Sequence, residues 1–295
     1  MPKLQLEPGV ELAYRLDDFT PPWASAPVVF LLHGKAESGA AWFEWMPRLA
    51  GRFRVIRPDL RGFGRSTPMP RDYAWSLDRL AADVLAIADH LGAEQFHLVA
   101  ADTAGPVALR LAARHPGRVS TLVLLGTGAS GAAASGDQQA GWIERVEREG
   151  VEAWARATMA ARLGTHAEPE VQQGWAKLMG ATPAATELGF LAALDGFDAT
   201  GDLEAVTCPA LVVTTDENTL GSLEATTLWQ RRIPLSELMV LSGDSHHVAA
   251  THALDCAGAT ADFFKRHTVK EGKKKREGRE EKKAARELKR AGKAA

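Results

Sequence analysis

Phe96-His-Leu-Val-Ala-Ala-Asp102-Thr-Ala-Gly105 is the most informative stretch of the chain. Its first residues form a short apolar run, as in a strand that is buried on both faces, and a helical pattern begins at Gly105. A sharp turn between them requires small neighbours, which Ala100, Ala104 and Gly105 supply. The residue at the apex of such a turn usually has a positive φ, which Asp tolerates better than most residues. The pattern therefore predicts a strand, a tight turn at Asp102 and a helix.

Similar segments recur along the chain. The sequence predicts an opening hairpin at 4–6 and 11–16, strands at 27–33, 54–57, 96–100, 119–125, 210–215 and 237–241, and helices at 75–91, 105–115 and 248–265. Strands that alternate with helices in this way indicate a mostly parallel sheet with right-handed crossovers. The alternation stops between about residues 129 and 205. That segment contains only helical patterns, at 142–148, 151–163, 171–179 and 187–193.

These patterns predict three parts. A core comprises residues 1–128 and 205–267, a helical cap comprises 129–204, and a basic low-complexity tail comprises 268–295. The tail is almost free of apolar residues, so we expect it to be disordered. It carries twelve Lys and Arg against five Glu, a net charge of +7, whereas the rest of the chain has 23 basic and 32 acidic residues, a net charge of −9.

The composition excludes several classes of protein. The 295 residues have a net charge of −2, with 45% hydrophobic and 24% charged residues, as in ordinary globular proteins and unlike collagen-like or mainly disordered chains. Two cysteines, Cys208 and Cys256, are too few for a disulfide scaffold and favour a reducing compartment. The N-terminus lacks a signal-peptide pattern, and no apolar run is long enough to span a bilayer. We therefore expect a cytoplasmic protein.

The basic tail does not favour a nucleic-acid partner. Interleaved aromatic residues are absent from it and its five Glu interrupt the positive charge, so a solvated extension is the preferred interpretation. The spacings typical of metal ligands and of glycine-rich phosphate loops are also missing from the chain. We expect a small-molecule substrate, no metal and no cofactor; the sequence leaves the oligomeric state open.

Four motifs give the chain a family resemblance. They are His33-Gly34 after the first buried strand, Asp59-Leu-Arg-Gly-Phe-Gly-Arg-Ser66, the turn at Asp102, and Gly243-Asp-Ser-His246. Their order resembles that of α/β-hydrolase-fold proteins from residue 4 to about 266, and the chain is most similar to 3-oxoadipate enol-lactonases and carbon–carbon bond hydrolases. The resemblance implies an α/β-hydrolase fold with a helical cap. It also implies hydrolysis of a lactone, ester, C–C or C–X bond in a small apolar or aromatic molecule.

The resemblance also implies roles for particular residues. Asp102 occupies the position of the nucleophile, where this family more often has Ser, and His246 is the expected catalytic base. Asn218 occupies the position of the acid that orients the histidine, unless a shifted loop brings Asp216 or Glu217 there instead. The backbone N–H groups of Lys35 and Thr103 are the expected oxyanion hole.

An aspartate at this position resembles α/β-hydrolase dehalogenases and epoxide hydrolases, in which the carboxylate attacks carbon and a His-activated water cleaves the resulting ester. Several features usual in those enzymes are missing. The loop at His33 lacks their proline, Thr103 stands where dehalogenases commonly have Trp, and only two tyrosines occur in the chain. An ordinary Ser-His-Asp esterase is not expected either, since Asp102 and not a serine occupies the apex of the tight turn.

Lys35 suggests a more charged site. If its ammonium group faces the pocket, it pairs with Asp102 or binds a substrate carboxylate, and His246 completes an acid–base site. Trp42 and Trp142 are the aromatic residues expected to bind the substrate. His247 adjoins His246, and one of the two is expected to face solvent.

Two functions of other kinds stay open. The same fold can carry non-hydrolytic acid–base chemistry, of the decarboxylase or cofactor-free oxygenase type, which needs no covalent intermediate. Loss of catalysis would leave a small-molecule-binding protein. A covalent adduct, turnover without an adduct, and ligand-induced stabilisation without turnover distinguish these three interpretations.

Overall fold

The computed structural model describes residues 1–131 and 136–267. Its strands are β1 Lys3–Glu7, β2 Val10–Asp17, β3 Val28–Leu32, β4 Arg54–Pro58, β5 Phe96–Ala101, β6 Val119–Leu125, β7 Ala210–Thr215 and β8 Ser236–Leu241. They form one sheet in the order β1-β2-β4-β3-β5-β6-β7-β8. The pairs β1–β2 and β2–β4 are antiparallel, and the pairs from β4 to β8 are parallel. The predicted mostly parallel sheet is confirmed.

Helices connect the parallel strands. They are α1 Met46–Leu49, α2 Leu77–His90, α3 Gly105–Arg114, α4 Gly136–Glu149, α5 Val151–Leu163, α6 Pro169–Gly180, α7 Ala184–Ala193, α8 Leu223–Gln230, α9 Val248–Thr251 and α10, residues 253–267. The helices α4 to α7 follow one another between β6 and β7, in the segment where the sequence predicts a cap. The division into core and cap stays a prediction, and the predicted disordered tail, 268–295, lies outside the described residues.

Apolar side chains cover both faces of the sheet because successive residues of a strand point to opposite faces. Phe30 and Leu32 of β3 belong to a core cluster that includes residues of α2, α3 and the helices α4 to α7. Val29 and Leu31 belong to a second cluster on the other face, with Phe263 and Phe264 of α10. The central strands are therefore buried on both sides, which explains their continuous apolar sequences.

The structure differs from the predicted elements in several places. The helix predicted at 248–265 is interrupted at His252, where φ is −122° and ψ is 37°, close to the point where Thr251 Oγ1 donates a hydrogen bond to Ser245 Oγ (2.8 Å). The helix α8 and the 3₁₀ segment Gly39–Trp45 were not predicted from the sequence. In the part of the chain that is described, we find no helix with the length and apolar character required to cross a bilayer.

Candidate active site

The predicted site residues meet at one edge of the sheet. Lys35 follows β3, Asp102 follows β5, Asn218 follows β7 and His246 follows β8, and parallel strands bring their carboxyl ends to the same edge. A cavity of about 20 Å³ lies there, lined by Lys35, Asp102, Thr103, Gly128, Ser130, Gly131, Trp142, Leu194 and His246. That volume holds about one water molecule, so side chains around it must move before a substrate enters.

Asp102 is at the apex of the predicted tight turn. Its φ is +48°, in the left-handed region, between the end of β5 and the start of α3. The turn leaves no room for larger neighbours: a Cβ on Gly34 would lie 2.7 Å from the Cβ of Asp102, and one on Gly105 would meet the side chain of Thr127. Thr127 Oγ1 donates a hydrogen bond to the backbone carbonyl of Asp102 at 2.5 Å. The small residues in the sequence therefore fix the position of the carboxylate.

The Asp102 carboxylate is surrounded by cationic and polar groups. Lys35 Nζ donates to Oδ1 at 2.9 Å and to Oδ2 at 2.8 Å, Arg162 Nη1 lies 3.7 Å from Oδ2, and His246 Nε2 lies 3.5 Å from Oδ1. Burial opposes ionisation, but Lys35, His246 and Arg162 outweigh it and hold the pKa of Asp102 well below its ordinary value. Burial lowers the pKa of Lys35, although Asp102 opposes that shift. Asp102 is therefore ionised and paired with Lys35 in a buried site.

His246 is held by Asn218. Asn218 Oδ1 accepts from the backbone N–H groups of Leu220 and Gly221, at 3.0 and 3.1 Å. His246 Nδ1 lies 3.2 Å from Asn218 Nδ2 and 3.3 Å from Oδ1. An amide can therefore donate to a bare Nδ1 or accept from Nδ1–H, whereas a carboxylate could only accept. Burial lowers the pKa of His246 despite the opposing influence of Asp102, which favours a neutral ring that can act as a base.

The alternative acids lie elsewhere. Asp216 and Glu217 are exposed, whereas Asn218 is buried beside the ring of His246. Asp216 Oδ1 accepts from the backbone N–H of Gly243 at 2.8 Å and so braces the loop before His246. The loop is not shifted in the way that would bring a carboxylate to His246.

The expectation that His246 or His247 faces solvent is wrong, since both are buried. His247 Nε2 lies 2.8 Å from Glu37 Oε1, and Glu37 Oε2 accepts from the backbone N–H of Gly34 at 3.1 Å. Burial opposes ionisation of Glu37, but its pKa is lowered because His247 stabilises the charged form. The His247–Glu37 pair thus anchors the loop after β3, in which Ala36 has a φ of 58°.

The two tryptophans that were predicted to bind substrate lie in different parts of the structure. Trp142 of α4 lines the cavity, and its ring centroid lies 5.6 Å from Lys35 Nζ. Trp42 is not among the residues that line this cavity. It is buried in the core cluster on the opposite face of the sheet, edge-to-face with Trp45 at 4.9 Å. Trp42 packs there because the 3₁₀ segment that follows the Lys35 loop turns its apolar side chains toward that core.

Thr103 and Lys35 both line the cavity, and Thr103 belongs to the 3₁₀ turn that leads into α3. Their position at the carboxyl edge suits backbone donors, and their assignment to an oxyanion hole stays a prediction. No cluster of three or more His, Cys, Asp or Glu arranged to hold a metal occurs in residues 1–131 and 136–267.

Sequence analysis missed two buried charged residues of the helical segment. Arg162 of α5 stacks over Trp154, with Cζ 4.9 Å from the ring centroid, and Glu187 of α7 is fully buried. Burial raises the pKa of Glu187 to about 7, although Lys35 and Arg162 oppose the shift. A signal was present for each residue. Arg162 continues the apolar stripe of α5 at helical spacing, and Glu187 is the one carboxylate in the apolar sequence Ala184–Ala193.

The comparisons with known proteins agree with this architecture. A family model described as the alpha/beta hydrolase fold matches residues 27–253. A protein of Agrobacterium fabrum named "Putative carbamate hydrolase RutD" is 30% identical over 237 residues, which cover 77% of this chain and 89% of that protein. Epoxide hydrolase B of Mycobacterium tuberculosis is 34% identical over 197 residues, 63% of this chain and 55% of that protein.

A solved structure supports the same conclusion for the fold. The crystal structure of the enol-lactonase from Burkholderia xenovorans LB400 has a TM-score of 0.81 to this chain and 23% sequence identity. The similarity covers 90% of this chain and all of that one, and at this identity it concerns the fold alone. Because the family model spans β3 to α9, which is more than half of the chain, the chain belongs to the α/β-hydrolase-fold family.

Proposed function

We propose that the protein is a cofactor-independent hydrolase of a small organic molecule, with Asp102 as nucleophile and His246 as base. One observation carries the proposal: the Asp102 carboxylate lies at the apex of the turn after β5, with its Oδ1 3.5 Å from the Nε2 of His246, whose pKa is lowered by burial. A carboxylate needs no base to attack carbon, but hydrolysis of the ester that forms requires one.

The reaction has two steps. An oxygen of Asp102 forms a bond to the substrate carbon, and the bond from that carbon to its leaving group breaks, the leaving group taking the electron pair. His246 then removes a proton from water, the hydroxide attacks Cγ of Asp102, and the ester bond to the product oxygen breaks. The product oxygen takes the proton back from His246. The second proton of the water leaves the Asp102 carboxyl group and neutralises the leaving group. One water is consumed, and the Asp102 carboxylate is restored with one oxygen from that water.

The neighbouring residues support these steps. Asn218 Oδ1 can accept from Nδ1–H of His246, and in that tautomer Nε2 is free to accept the proton. The backbone N–H groups of Lys35 and Thr103 would stabilise the negative oxygen that develops on Asp102 during hydrolysis of the ester. Trp142 gives the cavity an aromatic wall, which favours an apolar or aromatic substrate. The relatives' names make epoxides and carbamates the first compounds to test.

The test traps the intermediate. Because it lacks the base, a His246→Ala variant should accumulate the covalent intermediate on Asp102, which is an ester with an epoxide or alkyl halide and an acid anhydride with a lactone or aryl ester. Intact mass spectrometry after incubation with these four classes of compound should show a mass gain on Asp102. A His246→Ala/Asp102→Asn double variant is the control and should show none. Wild-type turnover in ¹⁸O-labelled water should place the label in the Asp102 carboxylate. Turnover by the wild type with neither the adduct nor the label contradicts the nucleophile role.

The contact of Lys35 Nζ with both oxygens of Asp102 favours a second candidate function. A carboxylate whose charge is balanced on both oxygens is a weak nucleophile. In that case Lys35, Asp102 and His246 would move protons on an enolisable or carboxylated substrate without a covalent intermediate. Turnover without adduct or label, abolished by Lys35→Met, would favour this function over the first.

A further inference from the structure

Two buried charged side chains of the helices between β6 and β7 have polar atoms without a hydrogen-bond partner in the described part of the chain. These atoms are Nη2 of Arg162 and both carboxylate oxygens of Glu187. Arg162 is 3% exposed and Glu187 is 0% exposed. A buried donor or acceptor without a partner is costly in free energy, and such groups in native proteins commonly mark a functional site. The atoms are therefore available to a group that enters the site.

Arg162 is held next to the candidate nucleophile. Its Nε donates to Thr158 Oγ1 at 3.3 Å, its guanidinium stacks on Trp154, and its Nη1 lies 3.7 Å from Asp102 Oδ2. These contacts fix the plane of the guanidinium, so Nη2 also lies within a few ångströms of the Asp102 carboxylate. An acceptor bound by Nη2 would therefore lie close to Asp102.

The charges around Glu187 come from three parts of the fold. Lys35 and Arg162 favour its ionised form, whereas Asp102 and Glu37 disfavour it, and Glu37 is itself paired with His247. Among these groups Asp102 accepts two hydrogen bonds from Lys35 and Glu37 contacts His247, whereas Arg162 has no carboxylate within hydrogen-bond distance. A negatively charged group of a ligand could therefore pair with Arg162.

We propose that Arg162 and protonated Glu187 form a recognition subsite for a carboxylate group of the substrate. Arg162 Nη2 donates a charge-assisted hydrogen bond to one oxygen of this carboxylate, and the Glu187 O–H donates to the anion as well. The inference rests on the proposed function, because it defines the substrate class as small organic carboxylates whose reacting carbon lies beside Asp102.

Binding of a carboxylate at this subsite is coupled to protonation of Glu187. Burial raises the pKa of Glu187 to about 7, and a bound anion nearby raises it further, so binding above that pH takes up a proton. The protonated, binding-competent fraction falls as the pH rises through the pKa of Glu187. The affinity for a carboxylate should therefore be constant between about pH 5.5 and 6, where the probe is still ionised, and fall about tenfold per pH unit above pH 7.

The experiment uses the full chain with benzoate, phenylacetate and butyrate as probes, each matched by its primary amide. Calorimetric titration at several pH values should show that the carboxylates bind and the amides do not. Arg162→Met should weaken carboxylate binding at least about tenfold, and Arg162→Lys should restore part of it. Glu187→Gln should retain binding, because its amide also donates a hydrogen bond, but lose the fall in affinity above pH 7.

The matched controls lie on the same helix. Glu152 and Arg156 form an exposed ion pair on α5, so Glu152→Gln and Arg156→Met should leave carboxylate affinity unchanged. Three results would overturn the inference: equal binding of acids and amides or binding of neither, wild-type affinity in Arg162→Met, or an unaltered pH dependence in Glu187→Gln. The unfolding of each variant is measured first. If Arg162→Met does not fold, Arg162→Lys and Glu187→Gln still test the inference.

This inference and the proposed function can fail separately. An Asp102→Asn variant lacks the nucleophile, but its carboxylate binding should persist and remain sensitive to Arg162→Met. Carboxylate binding of this kind without any ester on Asp102 would refute the nucleophile and leave the subsite standing. An ester formed from neutral substrates alone, with no carboxylate binding, would refute the subsite and leave the nucleophile standing.

Discussion

Asp102 depends on Lys35 because a buried carboxylate requires a compensating charge. The two side chains are 8% and 6% exposed and meet at 2.8 Å. In a buried ion pair, loss of one partner leaves the other charge unpaired, which costs more than loss of both. The same ion pair that keeps Asp102 ionised also reduces its nucleophilicity. An anionic substrate that competes for Lys35 and Arg162 would release the carboxylate at the moment of binding.

The coupling between these residues can be measured with a double-mutant cycle. Lys35→Met should lower the free energy of unfolding by about 3 kcal/mol, because Asp102 stays buried with weaker compensation. Adding Asp102→Asn should recover part of that loss, which gives a coupling energy above about 1 kcal/mol in urea denaturation at neutral pH. Additive effects of the two substitutions would contradict the buried pair.

An exposed ion pair supplies the matched control for this cycle. Lys3 Nζ and Glu11 Oε2 also meet at 2.9 Å, but the side chains are 46% and 45% exposed. Solvent screens such a pair, so the cycle of Lys3→Met and Glu11→Gln should give a coupling energy of about 0.5 kcal/mol or less. The contrast separates the effect of burial from that of distance.

At the scale of elements, the end of α5 is joined to the loop that carries His246. The backbone carbonyl of Arg162 accepts from the N–H of His247 at 2.8 Å. Asp244 Oδ2 accepts from the N–H and the hydroxyl of Thr165, at 2.9 and 2.8 Å. The helix that supplies Arg162 therefore also positions the candidate base, and a displacement of α5 would move both.

Removal of the Asp244 carboxylate should loosen this connection. Asp244→Ala loses two hydrogen bonds and should cost about 1 kcal/mol of stability, with faster amide hydrogen exchange at residues 245–248. Asp18 provides the control, since its Oδ1 accepts from the N–H and hydroxyl of Thr20 in the loop after β2. Asp18→Ala should leave exchange at 245–248 unchanged. Equal exchange in the two variants would show that Asp244 does not hold the loop.

The sequence predicts those elements whose patterns are local. Buried strands are continuous apolar runs and the turn at Asp102 is a run of small residues, so both are visible without tertiary information. Contacts between segments that are distant in the sequence cannot be recognised in this way. The ion pair of Arg162 with Asp102 joins α5 to β5, and Trp42 packs on the far face of the sheet because of a turn after β3. A count of charged residues does not distinguish a buried side chain from an exposed one, so the count alone does not reveal Glu187.

At the scale of the whole molecule, residues 1–269 and the tail have net charges of opposite sign. Residues 1–269 carry a net charge of −9 and residues 270–295 a net charge of +7. The sheet, its two apolar clusters and the candidate site all lie within residues 1–131 and 136–267. We therefore expect the fold to form without the tail, whose charge adds to the long-range field that an approaching ligand meets.

Deletion of residues 268–295 tests this division. The free energy of unfolding should stay within about 0.5 kcal/mol of the full-length value, because the sheet and both apolar clusters lie within the residues that remain. The truncated chain keeps the net charge of −9, so a carboxylate should associate more slowly at low ionic strength, as stopped-flow binding would show. At ionic strengths above about 0.15 M the difference should vanish, since screening then acts over about 8 Å. A neutral amide or ester should associate equally with both chains at every salt concentration. A loss of stability on truncation, or a difference in association that persists at high salt, would mean that the tail contacts the folded part directly.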